Sequence, residues 1–209
     1  MGGLFHPDSK LMRLMMLVTN LACLNLLWFV SCIPVVTAGA ATTAMYSVLL
    51  GYSANRDDAV LKPFFKAFRD NFRQVTPVWL LHIPVIAALG AGVFYMTLGV
   101  ENWVKMIFAV VLFIYIAATS YLYPILARYQ TSRKAAIFNS FALSLRHLLS
   151  SVCVVTLNLL PLALAVVFPE LFWKTILVWT LIGFSLIAYL NLKILLPIFK
   201  KYDPQTEAE

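Results

Sequence analysis

Residues 33–53 read IPVVTAGAATTAMYSVLLGYS, and whether this stretch crosses a bilayer decides the fold. It is short, about 24 Å from Ala38 to Ser53 if helical, and its first half is built of small residues. Five longer apolar runs surround it, at 14–33, 75–98, 103–127, 148–168 and 172–199, each near or above the roughly 20 residues a spanning helix needs. If 38–53 does not cross, the basic loops at 55–74 and 128–147 end up opposite Lys10 and Arg13, against the positive-inside rule. If it crosses, every Lys and Arg except Lys105 and Lys174 faces one side. A single helix from Leu14 to Tyr52 would run about 58 Å and is interrupted by Pro34 and Gly39. A tight outer turn at 33–37 fits better, with Thr37 as a candidate N-cap for the second helix.

The expected fold is therefore all-α: a polytopic membrane bundle of six transmembrane helices arranged as three hairpins in one domain over 1–209, with amphipathic cytoplasmic helices. Both termini are expected in the cytoplasm. The composition agrees, with 62% hydrophobic residues, 12% charged and a mean hydropathy of +0.86, far from the soluble balance. All nine acidic residues lie outside the apolar runs. The net charge of +7 sits at the borders of those runs, where it sets orientation, so no nucleic-acid partner is expected. The lipid bilayer is the expected environment, and a homo-oligomer stays open.

A weak internal repeat runs through the chain. AATTAMYSVLLGY (Ala40 to Tyr52) aligns with AATSYLYPILARY (Ala117 to Tyr129), and YPILARY with LPIFKKY ending at Tyr202. Arg73 and Arg146 are related by the same offset as Tyr129 and Tyr202. Each hairpin is thus entered near an Arg and left near a Tyr, residues that suit the interface.

The loop before the third span has the sharpest pattern. On a helical wheel Phe64, Phe65, Phe68 and Phe72 fall within about 100°, with Lys62, Lys66, Arg69 and Arg73 opposite, and Pro63 suits a first turn. Such an element either lies in the headgroup plane or seats its Phe face in a groove of a partner protein. The second loop, with Phe138, Phe141 and Leu145, is less cleanly sided.

Chemistry is sparse. The apolar runs carry no carboxylate, the usual mark of a proton relay, and His6, His82 and His147 lack companions at metal-ligand spacing. No cofactor, metal or catalytic set is read, and the chain is expected not to be an enzyme. A Ser185–His82 dyad lacks the full nucleophile elbow. Asn20, Asn25, Asn158 and Asn191 read as interhelical hydrogen bonders, and Cys23, Cys32 and Cys153 as small apolar fillers inside the bundle.

The order MGGLFHPDS, LNLLWFVSCIPVVTAGAATTAMY, FFKAFRDNFRQVTPVWLL, then YPILARY and PIFKKY resembles the YesL-type family of integral membrane proteins of Gram-positive bacteria. Lys10 departs from it, where Pro is expected. The resemblance implies a bacterial plasma-membrane protein encoded near ATP-driven carbohydrate importers and polysaccharide-degrading enzymes, hence an accessory or regulatory partner of a carbohydrate ABC importer. The alternative is a stand-alone carrier or channel for a small solute, with the 37–43 helix start facing its cavity. As signature or partner-contact positions the resemblance marks Pro34, Thr37, Gly39, Thr42, Tyr46, Phe65, Phe68, Asn71, Phe72 and Gln74.

Overall fold

The computed structural model describes residues 10–53 and 59–203. The opening MGGLFHPDS and Arg56 lie outside the described residues. Those described form helices only: α1 (Lys10–Cys32), a 3₁₀ turn (Val35–Thr37), α2 (Ala38–Ser53), α3 (Leu61–Met96), α4 (Asn102–Arg128), α5 (Arg133–Arg146), α6 (Leu148–Val167), α7 (Pro169–Lys174), α8 (Ile176–Val178), a π-helical turn (Trp179–Gly183) and α9 (Phe184–Lys201). Among the described residues, six stretches are long and apolar enough to cross a membrane: Leu11–Cys32, Val35–Tyr52, Leu61–Met96, Asn102–Arg128, Leu148–Val167 and Ile176–Lys201.

The short second helix is the centre of the bundle. α2 touches α1, α3, α4 and α9, and Ala40, Ala41, Ala44 and Leu49 on it are completely buried. Small side chains permit this, because association in lipid depends on close backbone approach rather than on hydrophobic expulsion. The tightest point is Gly39, where a Cβ would stand 2.6 Å from Trp79 Cβ and 3.2 Å from Val75 Cγ1. Trp79 Nε1 donates to the carbonyl of Val35 at 2.6 Å, so one side chain clamps the α1–α2 corner onto α3.

Thr37 does not cap α2. Its hydroxyl turns back and donates to the carbonyls of Ser31 and Pro34, satisfying an end carbonyl of α1 that has no helical partner. The one-turn 3₁₀ segment leads directly into α2, so the cap expected from the sequence has no free first turn to serve.

α3 is one unbroken helix of 36 residues, about 54 Å long, against a hydrocarbon core of roughly 30 Å. Its Lys- and Arg-bearing first third, expected as part of a separate loop, is helical and continuous with the span, with Pro77 and Pro84 inside the helix. The four-Phe face is also divided: Phe64 is fully buried in the cluster around Leu49, Leu192 and Val60, Phe68 stacks on it at 6.4 Å between ring centroids, and Phe65 and Phe72 stay exposed.

The last span is not a plain helix either. Near its start the chain opens into the π turn Trp179–Gly183, and Asn25 on α1 explains how this is tolerated. Its Nδ2 donates to the carbonyls of Thr180 (2.7 Å) and Trp179 (3.2 Å), and its Oδ1 accepts from the Ser185 amide at 2.8 Å. A π turn disturbs the regular ladder of backbone bonds, and this one amide repairs it. Asn158 likewise bridges helices, donating to Ser120 Oγ (2.7 Å) and accepting from Asn191 (2.8 Å).

The Ser185–His82 pairing does not form. Ser185 Oγ donates to Leu21 O at 2.8 Å, while His82 Nδ1 bonds the Tyr115 hydroxyl at 2.8 Å. The cysteines differ from expectation as well: all three are free thiols, but Cys23 and Cys153 face outward, where a small apolar side chain meets lipid instead of filling a core.

A candidate contact surface at the basic end

One end of the bundle gathers the first turns of α3, the α4–α5 connection, α5 and the end of α9. Ser132 caps α5, its Oγ accepting from the Ala135 amide. Ala136, Ser140 and Ser144, one turn apart, are buried and let α5 lie against α4. Ile137, Phe138, Phe141 and Leu145 point outward, a clearer apolar side than the sequence suggested.

Two side chains tie α3 to this region. Gln74 Nε2 donates to Thr131 O at 2.6 Å; Arg133 returns two bonds, from Nη2 to Arg73 O (2.8 Å) and from Nε to Gln74 O (3.1 Å). Between them lies a polar cleft of about 740 Å³, lined by Asn71, Gln74, Arg128, Gln130 and Arg133 among others. Asn71 Nδ2 is engaged with Ala67 O, one turn back on its own helix.

Behind the cleft the chain end is clasped. Arg128 Nη2 pairs with Asp203 Oδ2 at 2.6 Å, and the Tyr129 hydroxyl donates to Asp203 Oδ1 at 2.7 Å. The Tyr129 bond, with Arg128 beside it, holds the Asp203 carboxyl below its ordinary value. A carboxylate depressed in the folded state contributes above its unfolded value and stops contributing as pH falls through the folded one. Spin labels at Ser132 and Lys201 are therefore expected to give a narrow distance distribution at neutral pH. It should broaden at a midpoint under the usual carboxylate range, and be broad at all pH in Asp203→Asn. A distribution indifferent to both changes would dismiss the clasp.

The ten signature positions do not form one site. Pro34, Thr37, Gly39 and Thr42 belong to the α1–α2 corner, where Thr42 Oγ1 accepts from Trp28 Nε1 at 3.1 Å. Tyr46 is buried in the middle of α2, beside Asn191. Phe65, Phe68, Asn71, Phe72 and Gln74 are at the basic end. Thr42 and Thr43 donate to the carbonyls of Ala38 and Gly39, so the 37–43 segment is occupied in packing. Arg133, Arg128 and Asp203 were missed as organisers of the basic end; their signal was slight, since each reads as an ordinary boundary charge and the partners lie far away in sequence.

Six apolar crossings without a strand among the described residues, polar side chains spent on joining helices, and cations gathered at one end define a multi-pass α-helical membrane protein. Residues 21–98 match the family described as "Protein of unknown function, DUF624", a stretch running from the middle of α1 to just beyond α3 that contains all ten signature positions. No curated protein and no solved structure matches the chain.

Proposed function

We propose that this chain is a non-enzymatic accessory or regulatory membrane subunit of a carbohydrate ABC importer, set in a bacterial plasma membrane with both termini and the basic end in the cytoplasm. The observation that carries the reading is the exposure of Phe65 and Phe72 among Lys62, Lys66, Arg69 and Arg73. Phe65 stands ten residues before Val75, where the apolar run of α3 begins, which is about 15 Å along the helix. That is beyond the roughly 5–8 Å of headgroup region on each side of the hydrocarbon core, so a protein groove covers the Phe65 ring better than lipid does, with Phe72 at the inner margin of the same surface. The interhelical bonding of Asn25, Asn158 and Asn191 supports a packed subunit over a carrier. The kind of partner rests on the resemblance to YesL-type proteins.

Extraction of native membranes in mild detergent is expected to bring down importer subunits with the tagged chain. Phe65→Ala with Phe72→Ala should lose them and depress sugar uptake. Phe94→Ala, still more exposed but near the far end of the same helix, should change neither. Failure to recover any importer subunit, or undiminished uptake in the double variant, refutes the assignment.

A further inference from the structure

The basic end also borders a groove apart from the exposed Phe65 and Phe72, though it shares Ile137, Phe141 and Arg133 with the surface described above. It runs between α3 and α4, with Leu81 and Val85 on one wall and Ile114 and Ala118 on the other, and Ile137 and Phe141 of α5 close its basic end. It encloses about 350 Å³, within the span of roughly 300–1,000 Å³ typical of small-ligand sites. The lining is almost wholly apolar. Its polar side chains are already engaged: His82 and Tyr115 bond each other, and Thr119 and Ser140 donate to carbonyls of their own helices. An occupant therefore meets hydrocarbon along its length, and the exposed Leu81, Val85 and Val111 leave the groove open on the outer side.

The mouth has the opposite character. Lys134 precedes Ile137 by three residues and Phe141 by seven, which places it on their face of α5, toward the basic end. Arg133 sits beside it, pinned to the carbonyls of Arg73 and Gln74; Gln74 is two turns below Leu81 on the same face of α3. Both cations are exposed. Asp70, one turn further out than Gln74 on α3, lines the polar cleft together with Arg133, so it is the acid that an anionic headgroup at this mouth would face.

We propose that this groove is a binding site for one anionic phospholipid of the surrounding bilayer, an acyl chain lying between α3 and α4 and the phosphate held by Arg133 and Lys134. Neither half of the site suffices alone: a neutral lipid satisfies the groove but not the mouth, and a free phosphate the reverse. Basic residues at the mouth of a pocket between spanning helices are the arrangement that anionic headgroups select. Arg133 acts here with its free guanidinium edge while its tether keeps α5 at the groove's end.

The test uses the full chain purified in neutral detergent, with phosphatidylglycerol and phosphatidylcholine of matched chains counted by native mass spectrometry. Wild type is expected to retain one phosphatidylglycerol in preference to phosphatidylcholine. Each cation contributes a factor of about five at low salt, so Lys134→Gln should cut the preference about fivefold. Ala118→Trp fills the groove and should abolish retention of both lipids; should that variant fold poorly, Leu81→Trp blocks the groove from its exposed rim. Equal retention of the two lipids by wild type overturns the proposal, as does undiminished phosphatidylglycerol in a folded tryptophan variant.

Discussion

Gly39→Ala is expected to cost the protein about 1–3 kcal/mol, the range for forcing extra volume into a packed core, and Gly39→Val to prevent folded protein from accumulating. The new Cβ would fall 2.6 Å from Trp79 Cβ, an atom fixed to the backbone that cannot swing away like a side-chain tip. α2 and α3 would have to separate, and the bond from Trp79 to Val35 would lengthen with them. Gly51 supplies the control: nothing lies within 4 Å of its would-be Cβ, so Gly51→Ala on the same helix should be neutral or gain up to about 1 kcal/mol from helix propensity. Denaturation in mixed detergent micelles measures all three. Equal midpoints for Gly39→Ala and wild type would mean the two helices do not approach as described.

Asn25→Ala should lose about 2–3 kcal/mol, since it leaves the Ser185 amide and two carbonyls of the π turn without their partner in a dry interior. Asn25→Asp should be worse, because it turns an acceptor toward the carbonyls of Trp179 and Thr180. Ser185→Ala removes only the hydroxyl bonds to Leu21 and Ile182 and should cost about 1 kcal/mol. Hydrogen exchange across 179–185 separates the cases, accelerating in both Asn25 variants and changing little in Ser185→Ala. Unaltered exchange in Asn25→Ala would mean that the π turn holds itself without α1.

The fold class was legible because length and composition alone distinguish membrane-crossing runs, and because the parity of the short span at 38–53 links it to the charge distribution. The position of α2 at the bundle centre was not. Its small residues signalled close approach, but the partner, Trp79, lies forty residues on and nothing local points to it. The π turn was invisible for the same reason, since the sequence WTLIG is ordinary and its conformation depends on an amide from α1. A helical wheel grouped four phenylalanines correctly by angle, yet could not foresee that Leu49 and Leu192 would claim Phe64 and leave Phe65 and Phe72 outside. Thr37 sat where an N-cap belongs and was drawn instead to the carbonyls of the preceding helix.

The clamp at Trp79 reaches further than its own contacts. Because α3 stays helical from Leu61 to Met96 through Pro77 and Pro84, fixing the azimuth of Trp79 against Gly39 and Val35 also constrains the bearing of the residues beyond Pro77. Phe65 lies fourteen residues away, about 21 Å, and the direction in which it and its neighbouring cations look is set from that distance. A few degrees of slack at the glycine would swing the charged tip sideways, so the aim of the protruding end is governed by a spot that never touches it.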